Sequence, residues 1–400
     1  MFKKICFLII GFIQVTNATT IESILELVET NNYILKAKQR EINSSSVEAD
    51  LANTWSNPVL GIGVSDINLD TPSKRDIEAM QTQFITYTQS IPTNGKLSLS
   101  HDIKNNDIRI KQLEYIDFKN KLKSQAILYS YEFYYEQKKL EILNKYIENL
   151  NSQKELMNLL YENGKLDQSK LVSIDIKIYK LQLQKQNLIY KVSKIQTNLE
   201  NIIYRKVEQI DISQKSKYLN SSIKLESVLT NHPLVLIEKE KIKKQTQKIE
   251  LEKRKKISDI NFNVGYYQRE RFDDYVSFSV AIPLSIQGTE KLQVKKSQIE
   301  KTSIENNLKG LEKQIQTTID DLKNKIILSK QNFELIENKM IPLNETLEQS
   351  HKMHLSTNMM QSLEVYESTN GKFELLLLSY DEKVNYFGAL SQLYYFKGEL

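Results

Sequence analysis

Four of the seven methionines, Met340, Met353, Met359 and Met360, crowd into one short stretch of this 400-residue chain. His351 and His354 sit among them, one helical turn apart. Thioether sulfur and imidazole suit soft ions of the Cu(I) type. His351, Met353, His354, Met359 and Met360 are therefore the candidate metal contacts, although the same residues fill a crowded helical turn without any ligand. No resident cofactor is expected. Enzyme chemistry has no foothold: no Gly-rich phosphate loop, no zinc-binding His-Glu helix motif and no nucleophile elbow occurs. With 50 acidic residues, carboxylate pairs are commonplace. Glu364 and Glu367 form one such pair, a helical turn apart on a polar face.

The charge balance excludes another class. Fifty-five basic residues against 50 acidic leave a net charge of +5. The densest basic run, Lys253-Arg254-Lys255-Lys256, is flanked by acids and reads as a solvated helix face. No aromatic-plus-basic constellation suits nucleic acid, so no nucleic-acid partner is expected.

The N-terminus carries an address. Met1-Phe2-Lys3-Lys4 is a positive start, Cys6 to Ile13 is a short apolar run, and Thr16-Asn17-Ala18 offers small residues for cleavage. Residues 1–18 read as a secretory signal. Cys6, the sole cysteine, lies within it, too early to be a lipid-attachment site, so the mature chain has no disulfide. The apolar run is shorter than the ~20 residues a membrane helix needs, and no later segment supplies one. A mature form residing in a membrane must do so as a β-barrel.

The elements that would position these residues are long. Only 11 glycines and 6 prolines interrupt the chain. Leu140, Leu143, Ile147, Leu150, Met157 and Leu160 follow spacings of three, four and seven, as do Ile174, Ile178, Leu181, Leu188, Val192, Ile195 and Leu199. This is heptad packing. Lys96 to Tyr161 contains no proline, so a continuous helix there would be ~100 Å long. Two segments break the pattern with period-two alternation. Ile260, Phe262, Val264 and Tyr266 alternate with Asn261, Asn263, Gly265 and Tyr267, and Val276, Phe278, Val280 and Ile282 continue it after a short charged connection. Leu60, Ile62 and Val64 alternate with Gly61, Gly63 and Ser65, and Phe84 to Ile91 returns. The glycines suit close packing or kinks. Tyr87, Tyr266, Tyr267 and Tyr275 suit interfacial girdles or ordinary strand packing.

Both hairpins leave through Ile-Pro, at Ile91-Pro92 and Ile282-Pro283. Thr30-Asn31-Asn32-Tyr33 lines up with Thr230-Asn231-His232-Pro233. The expected organisation is a tandem duplication, 19–210 and 211–400, each half reading helix, strand, strand, long helix, return helix. Strands are expected at about 58–66, 83–92, 259–267 and 275–283, and helical hairpin tips at about 161–168 and 354–361. Gly164 is the natural left-handed terminator of the first tip, and Asn358 can serve the second.

Four strands cannot close a barrel alone, and their edges cannot stay open in lipid. The chain must share a barrel with copies of itself, and flanking helices would extend it as a tube. At this point the chain resembles the TolC family of outer-membrane efflux proteins. The carrying motifs are Asn57-Pro58, both Ile-Pro exits, Tyr161-Glu162-Asn163-Gly164, Met340-Ile341-Pro342 and Gly398, in that order and spacing. The resemblance implies a homotrimer in outer-membrane lipid, with a twelve-stranded barrel continued by a periplasmic α-helical barrel. It implies a periplasmic adaptor protein and an inner-membrane RND-type pump as partners, docked at tip residues Gly164, Lys165, Leu166, Asp167, Thr357, Asn358 and Met359. It also places Glu364 and Glu367 at the acidic gate. Departures are Asn358, where the family commonly has glycine, and Ser258-Asp259, which lacks the usual proline. The loop Asp66-Ile67-Asn68-Leu69-Asp70-Thr71-Pro72, with Arg75-Asp76 and Met80, is similar to that of metal-cation efflux ducts, which implies metal cations as cargo. Drug efflux, type I secretion and a periplasmic coiled-coil scaffold are the alternatives.

Overall fold

The computed structural model describes residues 19–212, 225–353 and 359–397. The elements are β1 (Thr19–Thr20), α1 (Ile21–Asn31), α2 (Tyr33–Ala52), β2 (Val59–Ser65), β3 (Thr82–Ile91), α3 (Lys96–Glu162), α4 (Gln168–Ile203), β4 (Ile210–Asp211), α5 (Leu225–Asn231), α6 (Pro233–Arg254), β5 (Ile260–Gln268), β6 (Tyr275–Ala281), α7 (Thr289–Leu335), α8 (Ile341–Met353) and α9 (Met359–Lys397). The signal over 1–18, the second tip's Thr357 and Asn358, His354 and Gly398 lie outside the described residues, as does the side chain of Met359.

The helices begin and end where the chemistry of their termini dictates. Thr20 caps α1 by accepting from the Ser23 amide at 3.3 Å. Asn32 interrupts α1 and α2, and His232 caps α6 with Pro233 in the first turn. The two breaks fall at the positions that align in the sequence. Between α7 and α8 the backbone widens into a π turn, Ile336–Met340. Pro342 follows at once. Proline has no N–H and its ring crowds the preceding turn, and a π turn relieves that crowding without ending the helix.

The chain divides into two compact units that do not coincide with its two sequence halves. The first comprises the residues up to Tyr33, Phe118–Val228 and Gln316 onward. It is a helical bundle with separate apolar clusters along its length. Leu143, Tyr146, Leu150, Met157 and Leu160 of α3 pack with Ile174, Ile178 and Leu188 of α4 and with Leu363 and Leu377 of α9. A second cluster joins Ile21 and Leu25 of α1 to Ile127, Tyr131 and Tyr135 of α3 and Tyr394 of α9. Burying each such side chain contributes about 1.5–3 kcal/mol. Within this unit β1 pairs in parallel with β4, Thr19 opposite Ile210. Glu136, fully buried, is flanked by Lys139 at 3.1 Å and Lys191 at 2.5 Å, the pairing that a buried charge requires.

The second unit comprises Ile34–Asp117 and Leu229–Ile315. In its helical part Ile110, Leu113 and Ile237 form one apolar cluster, Leu35, Leu99 and Val235 are also buried, and polar links lace the helices together. Gln245 Nε2 donates to the Ser297 carbonyl at 3.0 Å, and Lys104 meets Glu48 at 3.3 Å. Its remaining part is a four-stranded antiparallel sheet in the order β2-β3-β5-β6. The central pairing, β3 with β5, joins the two sequence halves through a ladder from Gln83↔Gln268 to Ile91↔Ile260.

Candidate functional site

The register sorts the sheet into two unlike faces. Leu60, Ile62 and Val64 of β2 lie beside Tyr87, Ile85 and Gln83 of β3. These continue into Val264, Tyr266 and Gln268 of β5, and then into Phe278 and Val276 of β6. This face is almost wholly apolar, and it is bare: Ile62 is 77% exposed and Phe278 69%. The opposite face carries Gly61, Gly63 and Ser65, then Thr82, Thr86 and Thr88, then Asn261, Asn263 and Gly265, then Ser277 and Ser279. Its polar groups bond to one another. Asn263 Nδ2 donates to Thr88 Oγ1 at 2.6 Å, and the Ser65 and Thr82 hydroxyls lie 2.7 Å apart. Ordinary water-soluble sheets bury their apolar face and wet the polar one. Here the apolar face has no protein cover among the described residues. Strands β2 and β6 also have one partner each, so both outer edges are open.

One polar residue that sequence reasoning passed over holds the base of the sheet. Asp259, noted only for standing where a proline is usual, accepts from the Thr93 amide at 2.9 Å and from Lys96 Nζ at 2.8 Å. It thereby ties the exit of β3 to the start of β5. Burial pushes its carboxyl upward, but Lys96 and the Thr93 amide outweigh this and hold it below the usual carboxylate range. Its partners are some 160 residues away, so no local pattern could have revealed the role.

The first hairpin tip is built by a Schellman turn. The Lys165 amide donates to the Leu160 carbonyl at 2.8 Å and the Gly164 amide to the Tyr161 carbonyl at 2.9 Å, with Gly164 at φ +68°. Leu166 folds back onto the α3–α4 core, while Asp167 caps α4 by backbone conformation without a side-chain bond. Gly164, Lys165 and Asp167 are exposed.

No protein-family model matches the sequence, and no curated protein matches it. Solved structures do match. A membrane protein from Pseudomonas aeruginosa aligns with TM-score 0.75 at 10% identity, covering 94% of this chain and 92% of that one. The Campylobacter jejuni CmeC outer membrane channel aligns with TM-score 0.70 at 11% identity, covering 94% and 85%. CusC, described by its transmembrane channel formation, aligns with TM-score 0.67 at 13% identity, covering 92% and 91%. The chain has the TolC fold.

Within this TolC fold the sequence-derived site residues separate. Glu364 and Glu367 both lie exposed on α9. Glu367 borders a cleft of ≈ 330 Å³ in the helical unit, with Gln153, Met157, Lys177 and Glu374 also in its wall. Polar links join α3, α4 and α9 beside it. Asn149 Nδ2 donates to Asn370 Oδ1 and Asn370 Nδ2 to Gln153 Oε1, both at 2.8 Å. Tyr146 donates its hydroxyl proton to Glu374, and Lys177 lies 3.2 Å from the same carboxylate. Burial raises the Glu374 carboxyl, but Tyr146 and Lys177 prevail and keep it low. His351 is half-buried, whereas Met353 is 80% exposed and Met360 41%. Among the described residues no group of three His, Cys, Asp or Glu is placed to hold a metal. The four strand tyrosines also divide. Tyr87 and Tyr266 belong to the bare apolar face, and Tyr267 and Tyr275 to the small polar one.

Proposed function

We propose that this chain is the protomer of an outer-membrane exit duct that passes solutes from an inner-membrane pump and a periplasmic adaptor to the exterior. One observation carries the reading: an exposed apolar sheet face backed by a small, polar face, between two open edges. Lipid satisfies the first and water in a pore the second. Copies of the chain satisfy the edges. Three four-stranded sheets would close a twelve-stranded barrel, wide enough to leave a lumen. The chain then acts as a conduit with no catalytic step. The tips at 161–168 and 354–361 are the proposed adaptor docks, and the two sequence halves the proposed structural repeats.

Glu364 and Glu367 are the proposed gate. Three copies would make two carboxylate rings, which favour cations in a pore. The expected result of replacing both by alanine is a higher leak conductance and weaker block by multivalent cations. Unchanged conductance and block in planar bilayers would remove them from the gate.

Metal cations are the cargo read from the loop Asp66–Pro72 with Arg75-Asp76 and Met80, and from His351, Met353, His354, Met359 and Met360. Organic cargo is the second reading, favoured by the aromatic residues on the small polar face. Deleting the gene and scoring sensitivity to copper and zinc against dyes and bile salts separates the two. The duct itself is tested by purifying the protein in detergent. Trimers with steady single-channel conductance are expected. A chain released without detergent as a non-conducting soluble protein would instead be a periplasmic coiled-coil scaffold.

A further inference from the structure

The small polar face carries one row unlike the rest. Gly63, Phe84, Tyr267 and Tyr275 stand opposite one another across all four strands. The next row is Gly61, Thr86, Gly265 and Ser277, and the one beyond it Val59, Thr88, Asn263 and Ser279. So a single line of three aromatic rings crosses a face otherwise made mostly of Gly, Ser, Thr and Asn. It lies at the loop end of the sheet, within three residues of the connections 66–81 and 269–274.

The row is built. A Cβ on Gly63 would stand 2.5 Å from Phe84 Cζ, and one on Gly265 would stand 2.5 Å from Tyr267 Cε2. The two glycines are thus the floor on which the two rings lie. Tyr267 and Tyr275 stack at 4.8 Å with 3° between their planes, and Phe84 lies 5.7 Å from Tyr267. A planar cation already uses the row's end. The Arg269 guanidinium lies 5.2 Å from the Tyr275 ring and 5.5 Å from Phe272. These rings lie on the face opposite Tyr87 and Tyr266, which on the exit-duct reading sets them apart from a lipid girdle. The adjoining loops add charge: Asp66, Asp70, Asp76, Glu78, Glu270, Asp273 and Asp274 stand against Lys74, Arg75, Arg269 and Arg271, seven acids to four bases.

We infer that this row is a binding site for planar aromatic cations at the outer mouth of the duct. The inference rests on the exit-duct reading, which turns the small polar face toward the lumen. Aromatic rings attract both flat rings and cations, Tyr275 is 42% exposed while Phe84 and Tyr267 are half-buried, and the acid-rich loops concentrate cations beside them. In a trimer the row would recur three times around the barrel.

The test is block of single-channel current in planar bilayers by proflavine, a flat aromatic cation, with tetrapropylammonium as a non-aromatic cation of the same charge. Proflavine is expected to block at concentrations at least tenfold lower than tetrapropylammonium. Tyr275→Ser and Phe84→Ser should each weaken proflavine block by about tenfold, with tetrapropylammonium block unchanged, while Tyr275→Phe should retain the block. Phe84→Ser uncovers the Gly63 floor and can fail to assemble. Tyr275 covers no glycine, so its variants keep the test intact. Conducting channels whose proflavine block is the same in Tyr275→Ser as in the parent overturn the aromatic row alone. Absence of conductance from the parent protein overturns the exit-duct reading and the row together.

Discussion

The helical unit and the sheet use the same apolar residues to opposite ends. In the helical unit Leu143, Leu150 and Leu160 are no more than 1% exposed, because α4 and α9 cover the stripe that α3 presents. In the sheet Leu60, Ile62, Val64, Val276, Phe278 and Val280 are all at least 45% exposed. One region closes its core within a single chain. The other leaves its apolar face and both edges to be satisfied from outside. An apolar pattern states which face avoids water, and says nothing of what covers it.

That contrast can be broken at several places. The largest effect is expected from arginine at Ile62 and Phe278. On a face that meets lipid each costs ~2–4 kcal/mol near the midplane, so the double variant should be lost from the outer-membrane fraction while its helices still form. Normal recovery of heat-stable trimers from that fraction would mean that the face does not meet lipid. Leu143→Ala in the helical core should lower stability by ~2–5 kcal/mol, read by denaturant melting, and leave the membrane fractionation pattern unchanged.

Smaller effects sharpen the comparison. Gly164→Ala forces a Cβ into a left-handed conformation at φ +68°. The open space around it limits the penalty to the backbone, ~1 kcal/mol, seen as a small drop in the melting temperature. Asp259→Asn should act through pH. The folded carboxyl is held below its ordinary value, so its contribution is present above the unfolded pKa and disappears as pH falls through the lower folded one. With the side chain 41% exposed, solvent screening keeps this to ~1 kcal/mol or less. The variant should show a shallower loss of melting temperature on acidification below the ordinary aspartate range, and an unchanged slope would remove Asp259 from the base of the sheet.

Much of the fold is legible in one dimension. Alternation at Ile260, Phe262, Val264 and Tyr266 marks a strand, and the structure has one at Ile260–Gln268. The glycine after Tyr161-Glu162-Asn163 ends a helix because it alone takes positive φ at little cost. Other features have no local signal. Thr19–Thr20 and Ile210–Asp211 are too short to show a period, and they form strands only because they meet. The π turn at Ile336–Met340 lies within a helical pattern that continues on both sides.

The candidate site divides along the same line. Periodicity by itself determined that the chain has long heptad helices, two hairpins with one apolar face each, and a tip at Gly164, because each depends on neighbours a few residues apart. Only the tertiary structure decided that Tyr87 and Tyr266 share a face, and that Phe84, Tyr267 and Tyr275 share the other. It also decided that Asp259 binds Thr93 and Lys96. Residues in one strand sort into two faces by geometry alone. Which strands lie side by side, and in what register, is set by pairings across more than 150 residues of chain, and a shift of one residue would have exchanged every face.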